Sequence, residues 1–151
     1  MLNIRQFGEP TRVAPELARM ALRYYSERLM SKRLCSNISV RLFYKKGLLK
    51  NNLLEACCVC EDDDNRPREF TITADADLSK RKLLMSLAHE MIHVKQYATG
   101  QLKYYLRGPA RCQWLGKPVN DDSIPYPDLP WEREAWTKEV DLYREFIRIK
   151  R

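Results

Sequence analysis

From Pro15 to Leu34 the apolar residues Leu17, Met20, Ala21, Tyr24 and Leu29 recur at mostly three- and four-residue intervals, and Glu16, Arg19, Arg23 and Glu27 fill the gaps. That spacing predicts an amphipathic helix over about 12–34, approached through Pro10 and Thr11. The period then drops to two. Ile38–Tyr44 alternates as a strand, and Lys45-Lys46-Gly47 turns the chain. Leu53–Cys60 reads as a second strand and Glu69–Ala74 as a third, joined by the polar segment Glu61–Pro67. A helical period returns over 79–99. Asp77 or Ser79 serves as its cap, and Gly100 is placed as the stop that tolerates a left-handed backbone. Residues 101–130 hold Gly108, Pro109, Gly116, Pro118, Pro125, Pro127 and Pro130 and read as one long irregular loop, aromatic enough to wall a cleft. A last helix follows over 131–149, with Trp136, Val140, Tyr143 and Ile147 as its apolar stripe. The expected class is α+β: an N-terminal helix, a small, mostly antiparallel three-stranded sheet, a central helix, a long loop and a C-terminal helix.

At 151 residues the chain fits one domain, 1–151. No apolar run is long enough to span a membrane, and the first ten residues lack the apolar stretch of a signal peptide, so a cytoplasmic location is expected. The five cysteines agree with a reducing compartment. Cys57, Cys58 and Cys60 crowd one strand, and no paired knuckles of the zinc-ribbon kind exist, so free thiols are expected. Asp62-Asp63-Asp64 lacks the glycine and distal glutamate of an EF-hand loop and reads as a solvated hairpin tip.

Charge changes the picture more. Residues 1–50 carry 11 basic and 3 acidic side chains, a net of +8; residues 51–80 carry −5, and residues 81–151 carry +4. The basic third is compatible with weak, non-specific nucleic-acid binding. A solvated helix face explains it more simply, because Arg12, Arg19, Arg23 and Lys45 show no aromatic interleaving in the sequence.

The central helix carries the chemistry. His89-Glu90-Met91-Ile92-His93 is an H-E-x-x-H motif and uses both histidines of the chain. Residues four apart share one helix face, so His89 and His93 can grip one zinc ion from the same side. Glu90 can reach a water on that ion and act as general base in hydrolysis of a peptide bond. Two core histidines would be the plain alternative. Leu84, Leu87, Met91, Val94 and Ala98 already form an apolar stripe, however, and Ser86, His89, Glu90, His93 and Tyr97 make a polar one that needs partners.

A catalytic zinc takes three protein ligands, and no third histidine exists. Glu132 and Glu134, at the start of the last helix, are the candidates. Glu132 lies on the side of Ala135 and Trp136, which the Val140 stripe continues, and is preferred; Glu134 projects nearly opposite. Cys112 is a weaker alternative. Asp75 or Asp77 are candidates for orienting a ligand histidine. An oxyanion needs a donor, for which Tyr126, Tyr104, Tyr105 and Arg107 qualify by position. The strand edge from Phe70 to Thr73 is a candidate for pairing with an extended substrate.

Phe70–Thr73, then Leu87–Tyr97 around the motif, then Leu129-Pro130-Trp131-Glu132-Arg133-Glu134-Ala135, in that order, resemble the small gluzincin-type metallopeptidases. They are similar in particular to the short SprT-like proteins encoded by phages and large viruses. The resemblance covers roughly residues 38–149 and implies a minimal zincin fold, a zinc peptidase acting on a protein or peptide, and a helical glutamate as third ligand. The first glutamate of E-x-E-A matches Glu132. Two positions depart from the pattern: SprT and Spartan proteins proper use a third histidine, and gluzincins often carry Asp or Asn four residues after the ligand Glu, where this chain has Trp136. Two other classes stand beside the peptidase. One is a catalytically idle zinc-binding domain, against which an intact Glu90 argues. The other is a DNA-associated protein, against which the lack of a zinc knuckle and of a helix-turn-helix signal argues.

Overall fold

The computed structural model describes residues 1–62, 65–104 and 112–150. The class is α+β, as expected, but the sheet differs from the expectation in size and direction. Four strands, β1 (Asn3–Phe7), β2 (Ser39–Lys45), β3 (Ala56–Cys60) and β4 (Glu69–Asp75), lie in the order β1-β2-β4-β3. β1 runs parallel to β2, and β2 parallel to β4; only the β3–β4 pair is antiparallel. Parallel neighbours need a crossover rather than a hairpin. Helix α1 (Pro15–Leu29) with the short α2 (Lys32–Ser36) supplies it between β1 and β2. The sequence expectation missed β1 because its five residues bury only Ile4 fully and half-bury Gln6. Without β1, the crossover and its parallel pairing were invisible.

The second expected strand begins later than Leu53. Residues Leu48–Asn52 make a helical turn, α3, and Leu53 ends it with φ 59°, a left-handed backbone that leaves its side chain exposed. The segment 101–130 is not one irregular loop. β5 (Leu102–Tyr104), β6 (Cys112–Trp114) and β7 (Lys117–Val119) form a small antiparallel sheet. Leu115 and Gly116, both at positive φ, make the two-residue turn between β6 and β7. Three-residue strands are too short to show alternation, and Pro118 is tolerated because β7 is an edge strand.

Helix α4 (Lys80–Ala98) lies at the centre. The Ser79 side chain accepts from Lys82 N at its start, and Gly100, at φ 78°, follows its end. It is buried on nearly every side, with Leu83, Leu87 and Ile92 inaccessible. α1 and the last helix, α5 (Pro130–Lys150), pack against it. One core joins the sheet to these three helices: Ile4, Val40, Phe70 and Ile72 on the sheet side meet Ala21, Leu22, Tyr25, Leu84, Met91 and Phe146 on the helix side. The buried residues of α5 are Trp131, Glu132, Ala135, Leu142 and Phe146, so the inward face is rotated from the predicted stripe and Trp136 stays 41% exposed. Among the described residues, no helix is long and apolar enough to cross a membrane, and the cysteines are free thiols.

Candidate metal centre

The site forms where α4 crosses the first turns of α5. Ala135, fully buried on α5, is small enough to let the two helices approach. His89 and His93 face α5 from successive turns of α4, and Glu132, 3% exposed, points back between them. The His93 Nε2 lies 2.9 Å from one Glu132 oxygen, the His89 Nε2 lies 3.1 Å from the other, and the two imidazole nitrogens are 3.2 Å apart. This His89/His93/Glu132 group could hold a metal ion.

The outer ring nitrogens show what the inner ones are. His89 Nδ1 is 2.8 Å from Glu139 Oε2, an acceptor, so Nδ1 carries the proton. His93 Nδ1 is 2.8 Å from Gln96 Oε1. The Gln96 amide nitrogen is committed elsewhere, donating to the Trp131 carbonyl and to Glu134. Its oxygen therefore faces His93, and His93 also donates from Nδ1. Both Nε2 atoms then present lone pairs to each other and to a carboxylate. Three acceptor groups converge, and apart from the Tyr126 hydroxyl on Glu132 Oε1 no donor faces them among the described residues, so a cation or added protons would satisfy the two ring nitrogens. Protons do so at a high pKa. Burial pulls His89 down, but its hydrogen bonds with Glu132 and Glu139 outweigh burial and raise it to about 10. Burial alone would raise Glu132, yet the two histidines hold it down to about 2.

Glu90 is 6% exposed, and its Oε2 has no hydrogen-bond partner among the described residues. Burial raises its pKa against the pull of His93 and His89. It lines two cavities that flank the cluster. One, of about 570 Å³, is bounded by Met85, Ser86, Trp136 and Glu139. The other, of about 350 Å³, is bounded by Cys58, Tyr97, Ile124 and Trp131. Tyr126 borders both, and its hydroxyl donates to Glu132 Oε1 at 3.0 Å. Burial and the neighbouring Glu132 raise the pKa of Tyr126, which keeps it a donor.

Several candidates fall elsewhere. Glu134 accepts from Gln96 and pairs with Lys95 and Lys138, so it braces the site from outside. Cys112 is buried in β6 among Leu102, Leu129 and Trp131, away from the cluster. Asp75 accepts from Leu49 N and Asp77 N, and Asp77 from the Thr11 hydroxyl; neither orients a histidine. Proximity in sequence suggested them, whereas Glu139 and Gln96 come from helix packing and from the turn after His93. Tyr104 borders the smaller cavity, its ring against Tyr97 and Trp131. Tyr105 and Arg107 lie outside the described residues. Phe70–Thr73 belongs to β4, paired on both sides; the free edge beside the cluster is β3. Of the acidic tip, Asp62 accepts from the backbone of Arg68 and Glu69, and Asp63 and Asp64 lie outside the described residues. Compared with family models, curated proteins and solved structures, the chain matches none of them.

Proposed function

We propose that this protein is a zinc-dependent metallopeptidase of the small gluzincin, SprT-like kind, with His89, His93 and Glu132 as metal ligands and Glu90 as general base. The observation that carries the reading is the convergence of three acceptor groups beside a buried carboxylate whose Oε2 has no partner among the described residues. Two imidazoles and a carboxylate are a donor set zinc takes; bonds of 2.0–2.1 Å in a tetrahedron put ligand atoms about 3.3 Å apart, against spacings of 2.9, 3.1 and 3.2 Å here. Glu139 and Gln96 fix the ring orientations such a site needs.

When bound, zinc supplies a Lewis acid for a carbonyl and lowers the pKa of a water. Everything else falls to the chain. Glu90, poorly solvated between the two cavities, takes a proton from the attacking water and returns it to the leaving amine. Its raised pKa places it nearer the range where both transfers are easy. Tyr126, already donating beside the cluster, is the candidate for the carbonyl's developing oxyanion. An extended peptide would add to the free edge of β3, which Ala56 and Cys58 bring alongside both cavities.

The test is metal content together with a proteome-wide cleavage screen of the protein and Glu90→Gln. The expected result is one zinc per chain in both proteins and cleavage only by the parent. Zinc retention with no cleavage by either would favour the idle zinc-binding domain, and equal cleavage by both would remove Glu90 from its role.

A further inference from the structure

The sheet covers its core with one face only. Ile4, Val40, Phe70 and Ile72 point to α1 and α4, and the residues between them point the other way. On that second face, Arg5 of β1 stands in register with Arg41 of β2, both exposed. Two residues further along the same strands, Phe7 stands in register with Phe43. Their rings stack at 4.5 Å and 12°, yet the two residues remain 40% and 38% exposed. β4 and β3 continue the face with Thr71, Thr73 and the exposed Val59.

Two features of this face lack an explanation within the fold. Like charges directly opposite on neighbouring strands are unfavourable, and neither guanidinium has a hydrogen-bond or ion-pair partner among the described residues. An aromatic pair that buried itself for stability would also not leave both residues about two-fifths exposed. A cavity of about 490 Å³ opens beside the arginine row and adds a third guanidinium, Arg23, whose Nε is buried without a partner among the described residues. Glu61 and Glu69 lie on its other wall, which keeps the positive character on β1 and β2.

We propose that this open face binds single-stranded nucleic acid, with bases on Phe7 and Phe43 and phosphates on Arg5 and Arg41. The two rows are about 7 Å apart along the strands, so one short segment of backbone can reach both. Bases carry the aromatic surface that suits the rings, and phosphates carry the charge that separates the paired arginines. The first fifty residues, at +8, supply the field that draws a polyanion in. Duplex is disfavoured because its bases are already stacked and out of reach. A second copy of the chain would set Arg5 and Arg41 against themselves across a two-fold axis. Aromatic interleaving is therefore present, but only across strands, where the linear sequence does not show it.

The test is fluorescence anisotropy with a labelled oligothymidylate and a matched duplex, at low and at physiological salt. The expected result is single-strand binding that weakens with salt, and duplex binding at least about tenfold weaker. Phe7→Leu/Phe43→Leu keeps apolar area but removes the rings, and should cost about tenfold or more in affinity at fixed salt. Arg5→Gln/Arg41→Gln should flatten the salt dependence by about one to two units of slope. Glu90→Gln should bind like the parent, so this result stands apart from the peptidase assay. Thermal melts of each variant check the fold, and the single variants Phe43→Leu and Arg41→Gln replace any double variant that melts early. No binding at low salt would overturn the proposal. So would unchanged affinity in the leucine variant, equal affinity for duplex, competition by polyglutamate as strong as by oligothymidylate, or self-association that the leucine variant abolishes.

Discussion

Glu132 and Glu134 sit two residues apart on α5, and their carboxylates have different partners: the histidines for one, Lys95, Gln96 and Lys138 for the other. Glu132→Ala should lower zinc affinity by orders of magnitude, whereas Glu134→Ala should lower it by tenfold or less; chelator competition would rank the two, and the reverse order would move the ligand assignment. The same residues predict a pH profile when chelator is present. His89, raised to about 10, contributes stability that is complete below its ordinary value of 6.5 and is lost as pH climbs through about 10. Glu132, lowered to about 2, contributes stability that is complete above its ordinary 4.5 and is lost as pH falls toward 2. These are two views of one interaction. Urea midpoints should therefore be highest between about pH 4.5 and 6.5 and fall on either side, and a steady rise from pH 6.5 to 9 would contradict the assigned pairing. The convergence of the two histidines was legible because a helix converts a four-residue interval into one shared face. Glu139 was not, because its meeting with His89 depends on how α5 lies across α4, 50 residues further along the chain.

Among the elements, the crossing of α4 and α5 is what brings a third candidate ligand, Glu132, to the two histidines. Ala135 is fully buried at the turn after Glu132. Ala135→Leu should cost about 1–3 kcal/mol by overpacking and should also weaken zinc binding, because the helices are forced apart where Glu132 reaches across. Ala135→Gly, which adds no bulk, should cost roughly 1 kcal/mol of stability and spare most of the metal affinity. Denaturant melts paired with metal titrations separate these outcomes. The long helices were readable because fifteen or more residues repeat a period several times. The small side chain of Ala135, three residues after Glu132, also favours that glutamate on sequence spacing, even though the predicted α5 stripe is rotated from the real one. Short elements resisted. β1 has five residues, β5 to β7 have three each, and Leu53–Glu55, which looked like the start of a strand, precede β3 without joining it. In such segments tertiary pairing, rather than local pattern, decides the conformation.

For the molecule as a whole, the candidate metal ligands join α4, the core helix, to α5, which also packs on α1. A ligand that binds only the folded chain adds RT ln(1 + [L]/Kd), about 2.7 kcal/mol at a hundredfold excess over Kd. Zinc should therefore raise the melting temperature measurably, and the rise should vanish in His89→Ala; an equal rise in that variant would point to zinc bound elsewhere. The α+β class was legible from the mixture of periods, but the direction of the sheet was not: β1 was overlooked, and β2 pairs in parallel with β4 while β3 takes the far edge. Chain order has a further effect, on timing. Glu132 lies 43 residues beyond His89, in a helix that follows every strand of the main sheet. At 5–20 residues per second, a ribosome makes both histidines and Glu90 roughly 2–9 s before it makes the carboxylate that completes them. A chain still in synthesis would hold metal poorly during that interval, and on the proposed reading it would emerge among other unfolded nascent chains without yet being able to cut them.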